Sequence, residues 1–133
     1  MIEIDGLAEV VLHVHDVPRA VAFYGALLGL KRMSPEGHPG PIFFQAGQAT
    51  DHVPSMLVLV PLPPGAPAFD RPRSLHHLAL TVTEASFESA RTILSDAGYE
   101  VRDGKHPMLA VRTMYVTDPE GNEVEFIAPE LPD

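Results

Sequence analysis

The chain has 133 residues, of which 45% are apolar and 20% charged, and it contains no cysteine. This is the composition of one ordinary globular domain. It excludes disulfide frameworks, thiolate metal sites and cysteine nucleophiles, so any metal must be bound by nitrogen or oxygen. A net charge of −9 without a basic run argues against nucleic acid or a membrane surface as partner. No apolar stretch could span a bilayer and the N-terminus has no signal-peptide pattern, so we expect a cytoplasmic protein.

The first half of the chain opens with a strand pattern and continues with a helix pattern. Apolar and polar residues alternate over Leu7–His15, which predicts a strand. Asp16 suits a helix N-cap and Gly29 a helix stop. The apolar face between them comprises Ala20, Phe23, Tyr24, Leu27 and Leu28. Three short strands are predicted near Leu30–Met33, Ile42–Ala46 and Met56–Val60.

Proline then separates the two halves of the sequence. Five of the twelve residues from Pro61 to Pro72 are proline, which favours a semi-extended linker. The second half repeats the order of the first, with a strand over Leu75–Val82 and a helix that starts at Thr83 or Glu84 and ends at Gly98. Its remaining strands are predicted near Tyr99–Arg102, Val111–Thr117 and Glu123–Ala128, with a turn over Asp118–Asn122 between the last two.

The two halves therefore have the same design. An offset of 68 residues maps Leu12 onto Leu80 and Pro61 onto Pro129. The pattern predicts an α+β fold of two βαβββ modules within one domain, residues 1–133. Module 1 covers residues 7–61, the proline-rich linker residues 61–74, and module 2 residues 75–129.

Strand alternation selects candidate functional residues on the face of each sheet that does not pack on the helix. The opening strand of module 1 places Glu9, Val11 and His13 there, and the equivalent strand of module 2 places His77 there. Glu125 falls on the same face of the closing strand. If the two sheets form an open concave cavity, Glu9, His77 and Glu125 converge in it, and this donor set suits a divalent metal. The alternative is that the carboxylates are solvated and the histidine is structural.

Two segments resemble the signatures of a known superfamily. The run from Val14 to Tyr24, continued by Leu28-Gly29-Leu30, and the run from Asp118 to Phe126 are similar to those of the vicinal oxygen chelate superfamily. That group contains glyoxalase I, fosfomycin-resistance and bleomycin-resistance proteins and extradiol dioxygenases, and the likeness extends from Leu7 to Pro129. The resemblance implies metal ligands at Glu9, His77 and Glu125. Two carboxylates and one imidazole permit Mn, Fe, Co, Ni or Zn as the bound ion.

The sequence departs from each of the best-known relatives, so the resemblance does not select a reaction. Tyr115 and His106 match extradiol dioxygenases, but Glu9 stands where those enzymes carry a histidine. A fourth glyoxalase I ligand would fall on Leu57, and the basic residue that binds glutathione is replaced by His13. Fosfomycin-type enzymes carry a threonine where Val11 stands.

These observations lead to two functional hypotheses for one pocket, which is predicted to be lined by Val11, His13, Thr113, Tyr115 and His106. In the first, the protein is an enzyme of lyase, isomerase or ring-cleavage type, in which the metal acts as a Lewis acid and Glu125, Tyr115 and His13 are catalytic. In the second, it is a metal-free protein that binds or sequesters a small molecule, as bleomycin-resistance proteins do. The resemblance also implies a homodimer. The loop from Gly47 to Ser55 is predicted to border the pocket.

Overall fold

A computed structural model describes residues 1–48 and 53–130 of the chain. Residues 49–52 of the loop predicted beside the pocket, from Gly47 to Ser55, lie outside the described residues. The chain divides into two compact units, unit 1 over Met1–Ala68 and unit 2 over Phe69–Asp133. No helix in the described residues is long and apolar enough to cross a membrane.

Unit 1 is a four-stranded sheet with one helix. Its strands are β1 (Glu9–Val14), β2 (Lys31–Arg32), β3 (Ile42–Gln45) and β4 (Met56–Pro61), in the order β1-β4-β3-β2. Strands β1 and β4 are parallel and the other pairs are antiparallel. The helix α1 (Val17–Val21) follows β1 and continues as a π-helical segment (Ala22–Leu27).

The sequence signals account for the start and the end of the helix in unit 1 and for its core. The Asp16 carboxylate accepts a hydrogen bond from the Arg19 backbone N–H at 3.1 Å, so it caps the helix as expected. Gly29 adopts a φ of 80°, which L-residues disfavour, and the helix ends just before it. The core consists of apolar side chains from the helix and from one face of the sheet: Leu12, Val14, Ala20, Phe23, Tyr24, Ile42, Phe44, Leu57 and Leu59.

Unit 2 repeats this plan. Its strands are β5 (Leu78–Thr81), β6 (Arg102–Gly104), β7 (Val111–Thr117) and β8 (Glu123–Pro129), in the order β5-β8-β7-β6. Strands β5 and β8 are parallel, and the other pairs are antiparallel. A 3-10 turn (Glu84–Ser86) precedes the helix α2 (Phe87–Asp96). The predicted α+β fold of two βαβββ modules is thus confirmed.

Two strand boundaries in unit 2 differ from the prediction. The opening strand is shorter than expected, because ladder pairing with β8 begins only at Leu78. The strand predicted near Tyr99–Arg102 instead begins at Arg102. Tyr99, the expected first residue of this strand, instead belongs to the cap of α2. Its N–H donates to the Leu94 carbonyl, and Gly98 adopts the positive φ of the turn between them.

The sheet of unit 2 has two chemically different faces. One packs on α2 and is apolar, with Met114, Val116 and Phe126 buried together with Phe87 and Leu94 of the helix. Arg112 lies on this side too, because its guanidinium stacks on the Phe87 ring at 4.3 Å. The opposite face is polar.

Candidate functional site

The polar face of unit 2 brings together several predicted site residues. Glu125 on β8 lies between Ala79 of β5 and Tyr115 of β7 in the strand register. One row further along, Ile127 lies between Thr81 and Thr113. Because side chains alternate along a strand, Glu125, Tyr115 and Thr113 share the face that points away from α2. The strand alternation in the sequence predicts this arrangement.

A histidine and a glutamate meet on this face. His77 Nε2 lies 3.1 Å from Glu125 Oε1, and the side chains are 33% and 3% exposed respectively. The second carboxylate oxygen, Glu125 Oε2, is buried and has no hydrogen-bond partner within residues 1–48 and 53–130. Burying a carboxylate costs free energy unless its oxygens are paired, so the unpartnered oxygen marks a position that a cation or a proton donor would stabilise.

The ring of His77 is held from its other side by a histidine that the sequence analysis did not select. His76 Nδ1 lies 2.8 Å from His77 Nδ1, so one of these nitrogens donates and the other accepts. For His77 to present the lone pair of Nε2 to a metal, its Nδ1 must carry the proton and donate to His76. The neighbouring pair of histidines in the sequence is the signal that identifies this contact.

Tyr115 completes the group around Glu125. Its ring centroid lies 5.9 Å from that of His77. Burial raises the pKa of the Tyr115 phenol, and the neighbouring Glu125 carboxylate and the negative charge of Glu123 raise it further. The phenol therefore stays protonated at neutral pH and can donate a hydrogen bond.

Gly104 makes room for the tyrosine. A Cβ atom at this position would overlap Cε2 of Tyr115 and approach Thr113 Oγ1 to 2.7 Å. The absence of a side chain on β6 thus lets Tyr115 and Thr113 pack across it. The Thr113 hydroxyl is buried and, like Glu125 Oε2, has no hydrogen-bond partner. Two unpartnered buried oxygens therefore lie on one face of one sheet.

His106 lies in the loop between β6 and β7. Its Nδ1 accepts hydrogen bonds from the backbone N–H groups of Met108 and Leu109, at 3.1 and 2.9 Å. Because Nδ1 is an acceptor in both contacts, the proton of the neutral ring resides on Nε2. The imidazole therefore shapes the loop, and Nε2 is the nitrogen that is left to contact a ligand.

The candidates of unit 1 lie on β1. Glu9, Val11 and His13 are exposed and occupy the face of the sheet that does not pack on α1. They pair in register with Met56, Val58 and Val60 of β4 respectively. This pairing corrects one alignment made from the sequence.

Val58, rather than Leu57, is the counterpart of Glu125 in unit 1. Val58 is paired with Val11, as Glu125 is paired with the equivalent Ala79. The sequence offset of 68 pointed to Leu57, but the closing strands are related by 67. The residue at the position of the fourth glyoxalase I ligand is therefore Val58, which is apolar, as Leu57 is.

The geometry of His77 and Glu125 is compatible with metal binding. Ligand atoms about 2.1 Å from an ion and at right angles to each other are about 3 Å apart, which matches the separation of His77 Nε2 and Glu125 Oε1. An imidazole nitrogen and a carboxylate oxygen suit a transition metal. Over residues 1–48 and 53–130, the histidines and acidic residues form no cluster of three or more that could hold an ion.

Comparison with known proteins identifies the family. The model of the Glyoxalase/Bleomycin resistance protein/Dioxygenase superfamily matches residues 6–126. The chain therefore belongs to this superfamily, as the sequence resemblance predicted. A comparison with curated proteins returned no match.

Solved structures show the same fold. A glyoxalase/dioxygenase from Nostoc punctiforme is 20% identical, with a TM-score of 0.71 over 96% of this chain and 92% of that one. The genomically encoded fosfomycin resistance protein FosX from Listeria monocytogenes is 17% identical, with a TM-score of 0.69 over 97% of both chains. TnmS3, an antibiotic binding protein from Streptomyces sp. CB03234, is 23% identical, with a TM-score of 0.68 over 98% of this chain and all of its own.

Proposed function

We propose that the protein is a metal-dependent member of its superfamily that acts on a small substrate carrying oxygen atoms. The observation that carries the proposal is the state of the Glu125 carboxylate. One of its oxygens lies 3.1 Å from His77 Nε2, and the other is buried without a partner. A cation bound beside both groups would satisfy the unpartnered oxygen and use the imidazole lone pair.

The proposed ligands are one imidazole and two carboxylates. His77 and Glu125 supply the first two, and Glu9 is included through its position on the opening strand of unit 1. This donor set accepts Mn, Fe, Co, Ni or Zn. A bound ion of this kind supplies Lewis-acid chemistry, in which a substrate oxygen is polarised and developing negative charge is stabilised.

Two side chains of the polar face and one on β1 would act on the substrate directly. Tyr115 is protonated at neutral pH, as any phenol with a pKa of about 10 or higher is, so its hydroxyl can donate to an oxygen that gains negative charge. The Thr113 hydroxyl has no hydrogen-bond partner in the described part of the chain and can orient a polar group of the substrate. His13, which is exposed on β1, is the proposed general base, because imidazole is the side chain most often used for proton transfer.

The reaction classes proposed for this site are lyase, isomerase and ring-cleavage chemistry. A fosfomycin resistance protein and a glyoxalase/dioxygenase are among the structural relatives of this chain. Compounds on which those two kinds of protein act are therefore the first to screen. Both relatives are too distant in sequence to transfer a substrate. We also propose a cytoplasmic location. From family resemblance we propose a homodimer, which light scattering coupled to size-exclusion chromatography would test.

A second candidate function is the metal-free binding of a small molecule. The observation that favours it is that His77 is already held on both sides, by Glu125 and by His76, so the imidazole is satisfied without an ion. An antibiotic binding protein is among the structural relatives. The net charge of −9 would favour a cationic ligand.

Elemental analysis distinguishes the two functions. The protein is purified without chelators and without a metal-binding tag, beside His77→Ala and Glu125→Ala, with His38→Ala and Glu100→Ala as exposed controls. The metal hypothesis predicts near-stoichiometric metal in the wild type and in both controls, and its loss in the two site variants. Metal-free wild-type protein that binds an aromatic or cationic ligand would overturn it and support the second function.

A further inference from the structure

A cavity of about 440 Å³ in unit 2 has a cationic lining that the proposed function does not use. It lies between the segment that precedes β5 and the turn that precedes β8. The lining residues that matter for its chemistry are Arg71, Arg73, His76, Gly121, Asn122 and Glu123. In a chain of net charge −9, two arginines in one cavity are unexpected.

The two guanidinium groups converge on one glycine. A Cβ atom built on Gly121 would lie 2.8 Å from Arg71 Nη2 and 2.9 Å from Arg73 Nη2. The two nitrogens are therefore within about 6 Å of each other, a distance at which like charges repel appreciably. An anion between them would turn this repulsion into attraction.

Arg73 is fixed in place but not fully satisfied. It donates to Asn122 Oδ1 at 2.7 Å and to the carbonyl oxygen of Glu120, and it stacks on the Phe69 ring at 4.5 Å. Its Nε is buried and has no hydrogen-bond partner among the described residues. A guanidinium that is held rigidly at the wall of a cavity is suited to an oxyanion, whose oxygens match the planar fork of arginine.

The remaining charges of the cavity leave it positive. Arg71 is exposed and makes no hydrogen bond or ion pair in the described part of the chain. Glu123, the acidic residue of the lining, is already bound by Arg102 at 2.5 Å and by the Thr117 hydroxyl at 2.6 Å. The carboxylate is thus bound by groups outside the cavity, and it attracts Arg71 through its charge alone, so one carboxylate already shared with Arg102 faces two arginines.

We propose that this cavity binds an oxyanion, the carboxylate or phosphate group of a small molecule, between Arg71 and Arg73. The inference goes beyond the proposed function and does not require a metal, since neither Glu125 nor Tyr115 lines the cavity. The link between the two places is His76, which lines the cavity and contacts His77. A molecule anchored here by its anionic group would lie beside the imidazole pair.

The test uses the whole protein, stripped of metal with a chelator that is then removed, so that anions cannot bind through an ion. Inorganic phosphate and acetate are titrated separately at low ionic strength while backbone amide signals are followed by NMR. We expect saturable shifts centred on Gly121 and Asn122 with at least one of the two anions, and the tighter of the two identifies the class. Arg71→Gln should weaken binding about tenfold, the loss of one charge-assisted contact.

Lys105→Gln is the matched control, because it removes one exposed positive charge from unit 2 outside the cavity. Its affinity should stay within about twofold of the wild type. Arg71 is chosen over Arg73 because it makes no hydrogen bond in the described part of the chain, so the variant should remain folded. Absence of saturable binding for both anions overturns the proposal, as does an equal loss in Arg71→Gln and Lys105→Gln, which would reveal a response to net charge alone.

Discussion

The two units of this protein have one strand plan, but the faces of their sheets that point away from the helix differ in chemistry. In unit 1 the central strand β4 places Val58 opposite Val11. In unit 2 the equivalent place on β8 carries Glu125, between Ala79 and Tyr115. The helix-side positions are apolar in both units and specify the fold, whereas the opposite face is free to acquire polar groups.

The two units also anchor their polar turns differently. Asp16 caps the helix of unit 1 from an exposed position. Asp118 of unit 2 is buried and accepts three hydrogen bonds, from the backbone N–H groups of Glu120 and Asn122 and from the Asn122 side chain, at 2.8 to 3.0 Å. The turn that leads into the polar face is thus held more firmly than the helix start in unit 1.

The largest predicted effect tests this difference. Asp118→Ala should lower the free energy of unfolding by about 2–4 kcal/mol, because it leaves buried N–H donors without an acceptor. Asp16→Ala should lower it by about 1 kcal/mol, the usual cost of a lost N-cap. Chemical denaturation of both variants measures the two values. Equal losses would contradict the distinction between the buried and the exposed aspartate.

Replacing one glycine in each unit by alanine is expected to have a smaller effect on the free energy of unfolding. Gly104→Ala should cost about 1–3 kcal/mol of unfolding free energy, since the new methyl group overlaps the Tyr115 ring and crowds Thr113. In unit 1, a Cβ on Gly25 would lie 3.1 Å from a carbon of the Phe44 ring, so Gly25→Ala should cost less than about 1 kcal/mol. Thermal unfolding of the two variants compares them. A milder effect at Gly104 would show that the tyrosine is not held against β6.

The third prediction concerns the titration of Tyr115. Because its pKa is raised in the folded protein, the folded state binds the phenolic proton more tightly than the unfolded chain does. The stabilisation is complete below a pH of about 10 and is lost as the pH rises through the folded-state pKa. Glu125→Gln should lower the Tyr115 pKa only partly, since burial, its largest cause, persists.

Phenolate absorbance in metal-free protein measures this pKa, with Tyr115→Phe used to subtract the other tyrosines. Glu100→Gln, which removes an exposed carboxylate of unit 2, is the control and should leave the titration unchanged. An unchanged Tyr115 titration in Glu125→Gln would mean that the carboxylate and the phenol do not interact.

Much of the fold could be predicted from the sequence because its signals are local. Alternation placed β1 and β7, Asp16 marked the helix start, and Gly29 and Gly98 marked the helix ends. The π-helical segment was not predicted, because the bond from the Leu28 N–H to the Phe23 carbonyl depends on how the helix packs and leaves no mark in the apolar pattern. The late start of β6 has a similar cause, since the cap of α2 extends to Tyr99.

The candidate site was predictable only where strand alternation applies. It placed Glu125, Tyr115 and Thr113 on one face, and the register of β7 and β8 agrees. It gave His76 no role, because alternation assigns neighbours to opposite faces. His76 and His77 precede the first ladder pair at Leu78, where the chain is not held to that rule, and their rings meet. Gly104 was not selected either, because a residue without a side chain contributes nothing to the alternation of apolar and polar residues.

The most direct test of the central claim is calorimetric titration of Zn²⁺ into metal-free protein, comparing the wild type with Glu125→Gln and with His38→Ala, an exposed histidine of unit 1. If the polar face of unit 2 is the metal-binding part of the molecule, the wild type and His38→Ala will bind one ion per chain with similar affinity. Glu125→Gln, which keeps the shape of the side chain but removes its charge, will bind about 100-fold more weakly or worse. Equal affinity in Glu125→Gln and the wild type would contradict the claim.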